Sequence, residues 1–364
     1  MDIVFAGGGT GGHLYPALSI ARALVALDPA VRPFFVGAER GIERQLLPSA
    51  GFPFALFSLH PIYRTGMTRN LRGIPETLGS WRALGRVLRA RSPRVVVGTG
   101  GYASGVALSW SILHRLPTAQ LVADAMPGVT ARATSRWAKV LYLGFEAARP
   151  LIPASTSTAV LVTGNPVEPP PVPQPDRTAA RAAFGIEADP AVQTVLVFGG
   201  SQGSDAINRA VAEWLSGPLP ETLRVIWAVG TQHFEMWKKM EGHHVRVRPY
   251  LNPIAEAYAA SDLAVTRAGA MTCAELTAWG IPAILIPLPT AAANHQNSNA
   301  RALVEAGAGR LLEQTEGLGR KLGPIVAELL LRRDSLGTMS RFSREFGRAS
   351  AAQDIAKDML TRFA

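Results

Sequence analysis

At 364 residues the chain exceeds the usual size of one hydrophobic core and reads as two domains of about 150 to 200 residues each. Its 48% hydrophobic and 18% charged residues exclude disorder as the main state, and the single cysteine, Cys273, excludes an internal disulfide and a multi-cysteine metal site. The formal charge of +10 lies wholly in residues 1–164, which hold 17 Lys/Arg against 7 Asp/Glu, whereas residues 165–364 balance at 20 of each.

The chain opens with an apolar run, Ile3-Val4-Phe5-Ala6, that enters the glycines Gly7 to Gly9, Gly11 and Gly12 and leaves through His13. A helix is predicted from about Pro16 to Leu27, then a second strand at Pro33–Gly37. Arg94 to Gly101 repeats the passage from strand to glycine, and Gln120–Asp124, Val140–Leu143 and Ala159–Val162 complete the first series. Short strands alternating with helices predict a parallel sheet covered on both faces.

Between His60 and Arg94 stand Arg64, Arg69, Arg72, Arg82, Arg86, Arg89, Arg91 and Arg94 against Glu76 alone, interleaved with apolar residues such as Trp81, Leu84 and Leu88. This composition suits an anionic bilayer surface, or equally an ordinary solvated helix face over a core. No nucleic-acid-binding motif accompanies it. No run of about 18 apolar residues and no cleavable leader is expected, so a protein on the cytoplasmic side is the simplest reading.

Asn165 to Pro175 is rich in proline, which fixes φ, and reads as a stiff linker. The series then restarts at Gln193–Phe198 and Gly199 to Gly203, with further strands at Leu223–Ala228, Val245–Val247, Leu263–Thr266 and Ala283–Pro287. Gly269 to Thr272 leads into a helix ending near Trp279, and the stretch from Ser340 to Phe363 is compatible with helix. The expected organisation is a first domain at 1–164, joined by a C-terminal helix at 341–364, a linker at 165–175 and a second domain at 176–340. Two such open α/β domains facing one another would set strand-end loops around a crevice.

A strand, then glycines, then a helix lets backbone amides approach an oxygen-rich anion at the helix N-terminus. One such loop is an ordinary tight turn. Its recurrence at Gly7–His13, Gly98–Tyr102 and Gly199–Gly203 favours an anionic ligand. Gly12-His13 lacks the Gly-Lys-Ser/Thr ending of a phosphate loop, which disfavours that loop's nucleotide hydrolysis; Gly199–Gly203 contains no GxGxxG, and a dinucleotide oxidoreductase stays conceivable from sheet topology alone.

Gly7-Gly8-Gly9-Thr10-Gly11-Gly12-His13 followed by Pro16, with Gly98-Thr99-Gly100-Gly101-Tyr102, resembles the MurG family of bacterial peptidoglycan glycosyltransferases. Thr163 to Val167, Gly199 to Gly203, Arg267 to Glu275, His295-Gln296 and Asn299-Ala300 extend the resemblance over about 300 residues in family order. It implies a GT-B architecture of two Rossmann-like domains and an inverting transfer of GlcNAc from UDP-GlcNAc to the C4 hydroxyl of MurNAc in undecaprenyl-pyrophosphoryl-MurNAc-pentapeptide, giving lipid II and UDP.

On that resemblance Gly200, Ser201 and Gln202 meet the donor phosphates, Tyr250-Leu251 the uracil, Glu275 the ribose, Met271 and Thr272 the diphosphate, and Gln296 and Asn297 the donor sugar. Thr10, Gly11, Gly12, Gly100, Gly101, Tyr102 and Asn165 fall within the substrate-binding set. His13 is the favoured general base, since imidazole accepts a hydroxyl proton near neutral pH; alternatively it orients its loop or donates to pyrophosphate. Asp124 is the competing base. No metal ligand set and no tightly bound cofactor is expected, with Mg²⁺ assistance left to the diphosphate substrates. The implied partners are the lipid I acceptor, an anionic inner-membrane surface approached peripherally from the cytoplasm, and other cell-wall synthesis proteins.

Several positions depart from the family pattern. Leu121-Val122-Ala123-Asp124 stands where it has His-Glu-Gln-Asn, Glu168 where it commonly has Arg, and Asn294 where Asp is frequent. These departures keep two alternatives open: a related transferase with another acceptor, and a catalytically impaired UDP-sugar-binding scaffold.

Overall fold

The computed structural model describes residues 1–59 and 74–364, with only the helical backbone for 74–78. Two compact units emerge, Met1–Glu168 with Ser350–Ala364, and Pro169–Ala349.

In the first unit seven parallel strands alternate with helices: β1 (Asp2–Gly7), α1 (Gly11–Leu27), β2 (Arg32–Ala38), α2 (Glu43–Leu46), β3 (Phe54–Phe57), α3 (Ile74–Arg91), β4 (Val95–Gly100), α4 (Gly101–Leu113), β5 (Thr118–Val122), α5 (Val129–Thr134), β6 (Val140–Leu143) and β7 (Ala159–Val162). The spatial order is β3-β2-β1-β4-β5-β6-β7. The run Ile3-Val4-Phe5-Ala6 is fully buried because the sheet is covered on both faces. Ile3 and Phe5 join a core with Leu14 and Leu24 of α1, while Val4 and Ala6 face Leu84 and Leu88 of α3 and Trp110 of α4.

The second unit repeats the plan with α6 (Arg177–Ala182), β8 (Gln193–Phe198), α7 (Asp205–Leu215), β9 (Leu223–Ala228), α8 (Phe234–Trp237), β10 (Val245–Arg248), α9 (Ile254–Ala260), β11 (Leu263–Thr266), α10 (Ala270–Trp279), β12 (Ala283–Leu285), α11 (His295–Glu305), β13 (Gly309–Leu311), α12 (Leu318–Leu331) and α13 (Arg333–Phe346). Its order is β10-β9-β8-β11-β12-β13. Both sheets reverse direction of strand addition next to their first strand, between β1 and β4 and between β8 and β11. In open α/β sheets that switch point, at the carboxyl ends of the strands, is where ligands bind.

Helix α14 (Ala351–Phe363) belongs to the first unit, where Ile355, Ala356, Met359 and Phe363 enter the core beside α1. The helix-compatible stretch from Ser340 is therefore two helices, parted at 347–350. The Tyr142 hydroxyl donates to Asp358 Oδ2 at 2.7 Å. Burial pushes Tyr142 far above the ordinary phenol range, and the Asp358 carboxylate adds to that rise. Burial alone would raise Asp358 as well, but hydrogen bonds from Arg362 and Tyr142 outweigh it and hold the carboxyl below its ordinary value.

Candidate active site

In the first unit the site grows from a mismatch between β1 and β4. Ala6 pairs with Gly98 but Gly7 with Gly100, so Thr99 is the extra residue. Its hydroxyl donates to the His13 carbonyl at 2.8 Å and ties the two loops together. Helix α1 begins at Gly11, five residues before the expected start, which puts His13 inside the first turn. Thr10 occupies the cap position without a side-chain capping bond. Gly100 and Gly269, before α4 and α10, also leave their helices uncapped by side chains. Three strand-end helices thus begin without a side-chain cap from the cap residue, the arrangement in which a helix N-terminus can meet an anion.

The half-buried His13 ring stands against Gly100, which has φ of 112°; a Cβ there would lie 2.5 Å from the imidazole Cδ2. Gly101, at φ of 78°, packs on the Gly8 carbonyl so closely that any side chain would overlap it. That carbonyl lies 3.0 Å from His13 Nδ1. A carbonyl only accepts, so Nδ1 carries the hydrogen and the neutral ring keeps its lone pair at Nε2. Thr10 Oγ1 is 3.4 Å from the same Nδ1. Tyr102 lies against Gly9, where a Cβ would approach its ring to 3.1 Å. The structure therefore gathers Thr10, Gly11, Gly12, His13, Gly100, Gly101 and Tyr102 at one switch point.

Asp124 follows β5, two residues beyond the strand's end and half-buried, one strand further along the sheet. Asn165 is 3% exposed, and its Nδ2 donates to the Ala123 carbonyl at 2.9 Å.

In the second unit Gly200, Ser201 and Gln202 sit exposed after β8, and Gly203 presses on the Val229 carbonyl. Ser204 caps α7 by accepting from Ile207 N at 3.4 Å. Across the switch point Arg267, 8% exposed, donates to Ser204 Oγ at 2.7 Å and to the carbonyls of Ile286 and Pro287 at 3.0 and 3.2 Å. Burial pushes its guanidinium down to about 10. Met271, Thr272 and Glu275 lie on α10 itself rather than ahead of it. Tyr258 donates to Glu275 Oε2 at 2.7 Å and so fixes that carboxylate; burial raises the phenol well above its ordinary range. On α11, Gln296 Oε1 accepts from Leu288 N at 2.9 Å, and Asn297 Oδ1 from Arg301 at 2.7 Å. Tyr250 and Leu251 follow β10, the first exposed and the second buried.

Sequence reading missed Thr99, Ser204 and Arg267 as contributors. It also missed a cluster at the other end of the second sheet, where Glu221, His243 and His244 bring ligand atoms within 4.8 Å of one another. Arg224 Nη2 lies 3.0 Å from His243 Nε2 there, so a guanidinium already sits among these groups. A cavity of about 520 Å³ lined by Arg181, Gln193, Asp262 and Pro282 likewise opens at strand amino ends, away from the glycine loops.

Residues 3–143 match the model of the glycosyltransferase family 28 N-terminal domain, and residues 194–359 that of its C-terminal domain. A Salinibacter ruber protein named UDP-N-acetylglucosamine–N-acetylmuramyl-(pentapeptide) pyrophosphoryl-undecaprenol N-acetylglucosamine transferase is 38% identical, the match covering 98% of this chain and 96% of the relative. The chain belongs to glycosyltransferase family 28. A family 28 relative of the same name from Syntrophotalea carbinolica is also 38% identical over 98% of both chains. The crystal structure of Acinetobacter baumannii MurG superposes with a TM-score of 0.76 at 26% identity, covering 99% of each chain. UDP-GlcNAc 2-epimerase from Neisseria meningitidis, at 15% identity and a TM-score of 0.67, shares the fold. This family 28 enzyme thus has the GT-B architecture of two Rossmann-like domains.

Proposed function

We propose that this transferase moves GlcNAc from UDP-GlcNAc to the MurNAc C4 hydroxyl of undecaprenyl-pyrophosphoryl-MurNAc-pentapeptide, producing lipid II and UDP. The observation that carries this reading is near-full-length identity of 38% to relatives bearing that activity as their name. In the proposed chemistry His13 Nε2 takes the proton of the acceptor hydroxyl as its oxygen attacks the anomeric carbon. The bond to UDP breaks on the opposite face, the leaving diphosphate keeps the electron pair, and the anomeric configuration inverts to β(1→4).

The amides at the start of α10 and in the loop after β8, with the Thr272 hydroxyl, oppose charge growing on the diphosphate. Leu288 occupies Gln296 Oε1, which leaves the Gln296 amide hydrogens to donate to the sugar. Glu275 accepts from the ribose hydroxyls, and the backbone of Tyr250-Leu251 reads uracil. We assign no resident metal or cofactor to this chemistry; Mg²⁺ assists through the substrate diphosphates.

The decisive assay supplies UDP-GlcNAc and a lipid I analogue. The expected product is the β(1→4) disaccharide with one UDP released per transfer. Donor binding without transfer would favour a scaffold, and transfer to a different alcohol would favour another acceptor.

The acceptor is a membrane lipid, yet among the described residues no helix is long and apolar enough to cross a membrane. We therefore propose peripheral attachment at the cytoplasmic face of the inner membrane. Arg82, Arg86 and Arg89 of α3 are exposed while Leu84 and Leu88 are buried, the disposition of a basic outer face. Arg64, Arg69 and Arg72 of the basic stretch lie outside the described residues. Replacing Arg82, Arg86 and Arg89 with Gln is expected to weaken binding to anionic vesicles, read by cosedimentation, on the order of 100-fold, at roughly 1 kcal/mol per arginine, without changing UDP-GlcNAc affinity. Equal cosedimentation of parent and variant would reject this face.

A further inference from the structure

Glu43 is fully buried, and no part of the chemistry above uses it. Its two carboxylate oxygens are both acceptors, Oε1 from Ala38 N and Oε2 from Gly9 N, each at 3.0 Å. That pattern is the acceptor-only one of an ionised carboxylate, and it offsets the cost of burying the charge. Three glycines make room for it. A Cβ on Gly8 or Gly41 would overlap the carboxylate itself, and one on Gly37 would come within 2.8 Å of Glu43 Cγ. Helix α2 therefore delivers this side chain into a cage built for it, 34 residues along the chain from the loop it holds.

The N–H of Gly9 and the C=O of Gly8 belong to one peptide group. Glu43 accepts from the first while His13 Nδ1 donates to the second. We propose that Glu43 is a positioning residue for the transfer reaction, acting on His13 through the Gly8–Gly9 peptide. A carboxylate at the peptide N–H increases the negative charge on its carbonyl oxygen, since linked hydrogen bonds polarise one another by about 10–30% each. The stronger acceptor fixes hydrogen at Nδ1, directs the ring against Gly100 and leaves Nε2 as the proton-accepting atom. When Nε2 takes the hydroxyl proton, the same chain spreads the new positive charge toward Glu43. The arrangement does the work of a carboxylate bonded directly to histidine, with a peptide group interposed.

This inference rests on the reading of His13 as base, and the experiment separates the two. Protein labelled with ¹⁵N-histidine reports the ring tautomer by long-range proton–nitrogen correlation, with His13 assigned from the spectrum of His13→Ala. The expected result is hydrogen at Nδ1 in the parent protein. Glu43→Gln keeps the shape of the side chain but presents one oxygen and one NH₂ to two N–H donors. It is expected to yield mixed tautomers and at least a tenfold loss of kcat, with the KM for UDP-GlcNAc within about twofold of the parent. Hydrogen at Nε2 in the parent protein would overturn the relay without recourse to any variant. So would Glu43→Gln with an unchanged tautomer and full kcat beside an inactive His13→Ala. Normal turnover by His13→Ala would instead remove the base beneath it.

Discussion

His13→Ala is expected to lower kcat by about 10²- to 10⁴-fold, or about 3 to 5 kcal/mol of transition-state stabilisation, with the KM for UDP-GlcNAc little changed. The split follows from where the ring is held. All its contacts described above, with Gly8, Thr10, Gly100 and Thr99, lie in the first unit, whereas the proposed donor contacts lie after β8 and β10 and on α10 and α11 of the second. Removing the ring takes away a proton acceptor and leaves the sugar-nucleotide loop untouched. His13→Asn tests orientation against proton transfer, because an amide can still donate to the Gly8 carbonyl but is too weak a base to take the hydroxyl proton. Both variants should therefore fall together. Activity retained by His13→Asn but lost in His13→Ala would make His13 an orienting group and move the base role to Asp124.

The loops of this site were legible because glycine punctuates them. Strands at Leu223–Ala228 and Leu263–Thr266 agree with the sequence reading residue for residue, since each is a short apolar run in a two-faced parallel sheet. Phe54–Phe57 and Gly309–Leu311 escaped it; both are short edge strands with mixed burial, and neither carries a periodic signal. Glu43 is one of two glutamates, with Glu39, in a polar stretch, and only the surrounding Gly37 and Gly41 hint that something bulky occupies the space above them. Arg267 stood inside a recognised motif yet acquired a role only once its burial and its partners were visible. Asn165 was read among the substrate contacts, and the structure gives its amide to the Ala123 carbonyl, an arrangement that local sequence does not encode because the partners are 42 residues apart.

Arg267→Met should weaken UDP binding by about 100-fold, or about 2.7 kcal/mol, while changing the stability of the ligand-free protein far less. Two opposing terms explain the small second effect. Methionine leaves the Ile286 and Pro287 carbonyls without their donor, at about 1 to 3 kcal/mol for each unsatisfied group. It also removes a cation whose burial is unfavourable. The folded guanidinium titrates near 10, below its value in an unfolded chain, so at neutral pH the charge costs stability, and that cost fades as the pH rises above about 10. A diphosphate at the N-terminus of α7 would offset this cost, because Arg267 lies one hydrogen bond from the serine that caps the helix. Calorimetric titration of UDP into parent and variant reads the first effect, and thermal melts with and without UDP read both. A variant that binds UDP like the parent would show that the buried charge serves only to hold the loops after β8 and β12, and that the leaving diphosphate is stabilised by backbone amides and the Thr272 hydroxyl without it.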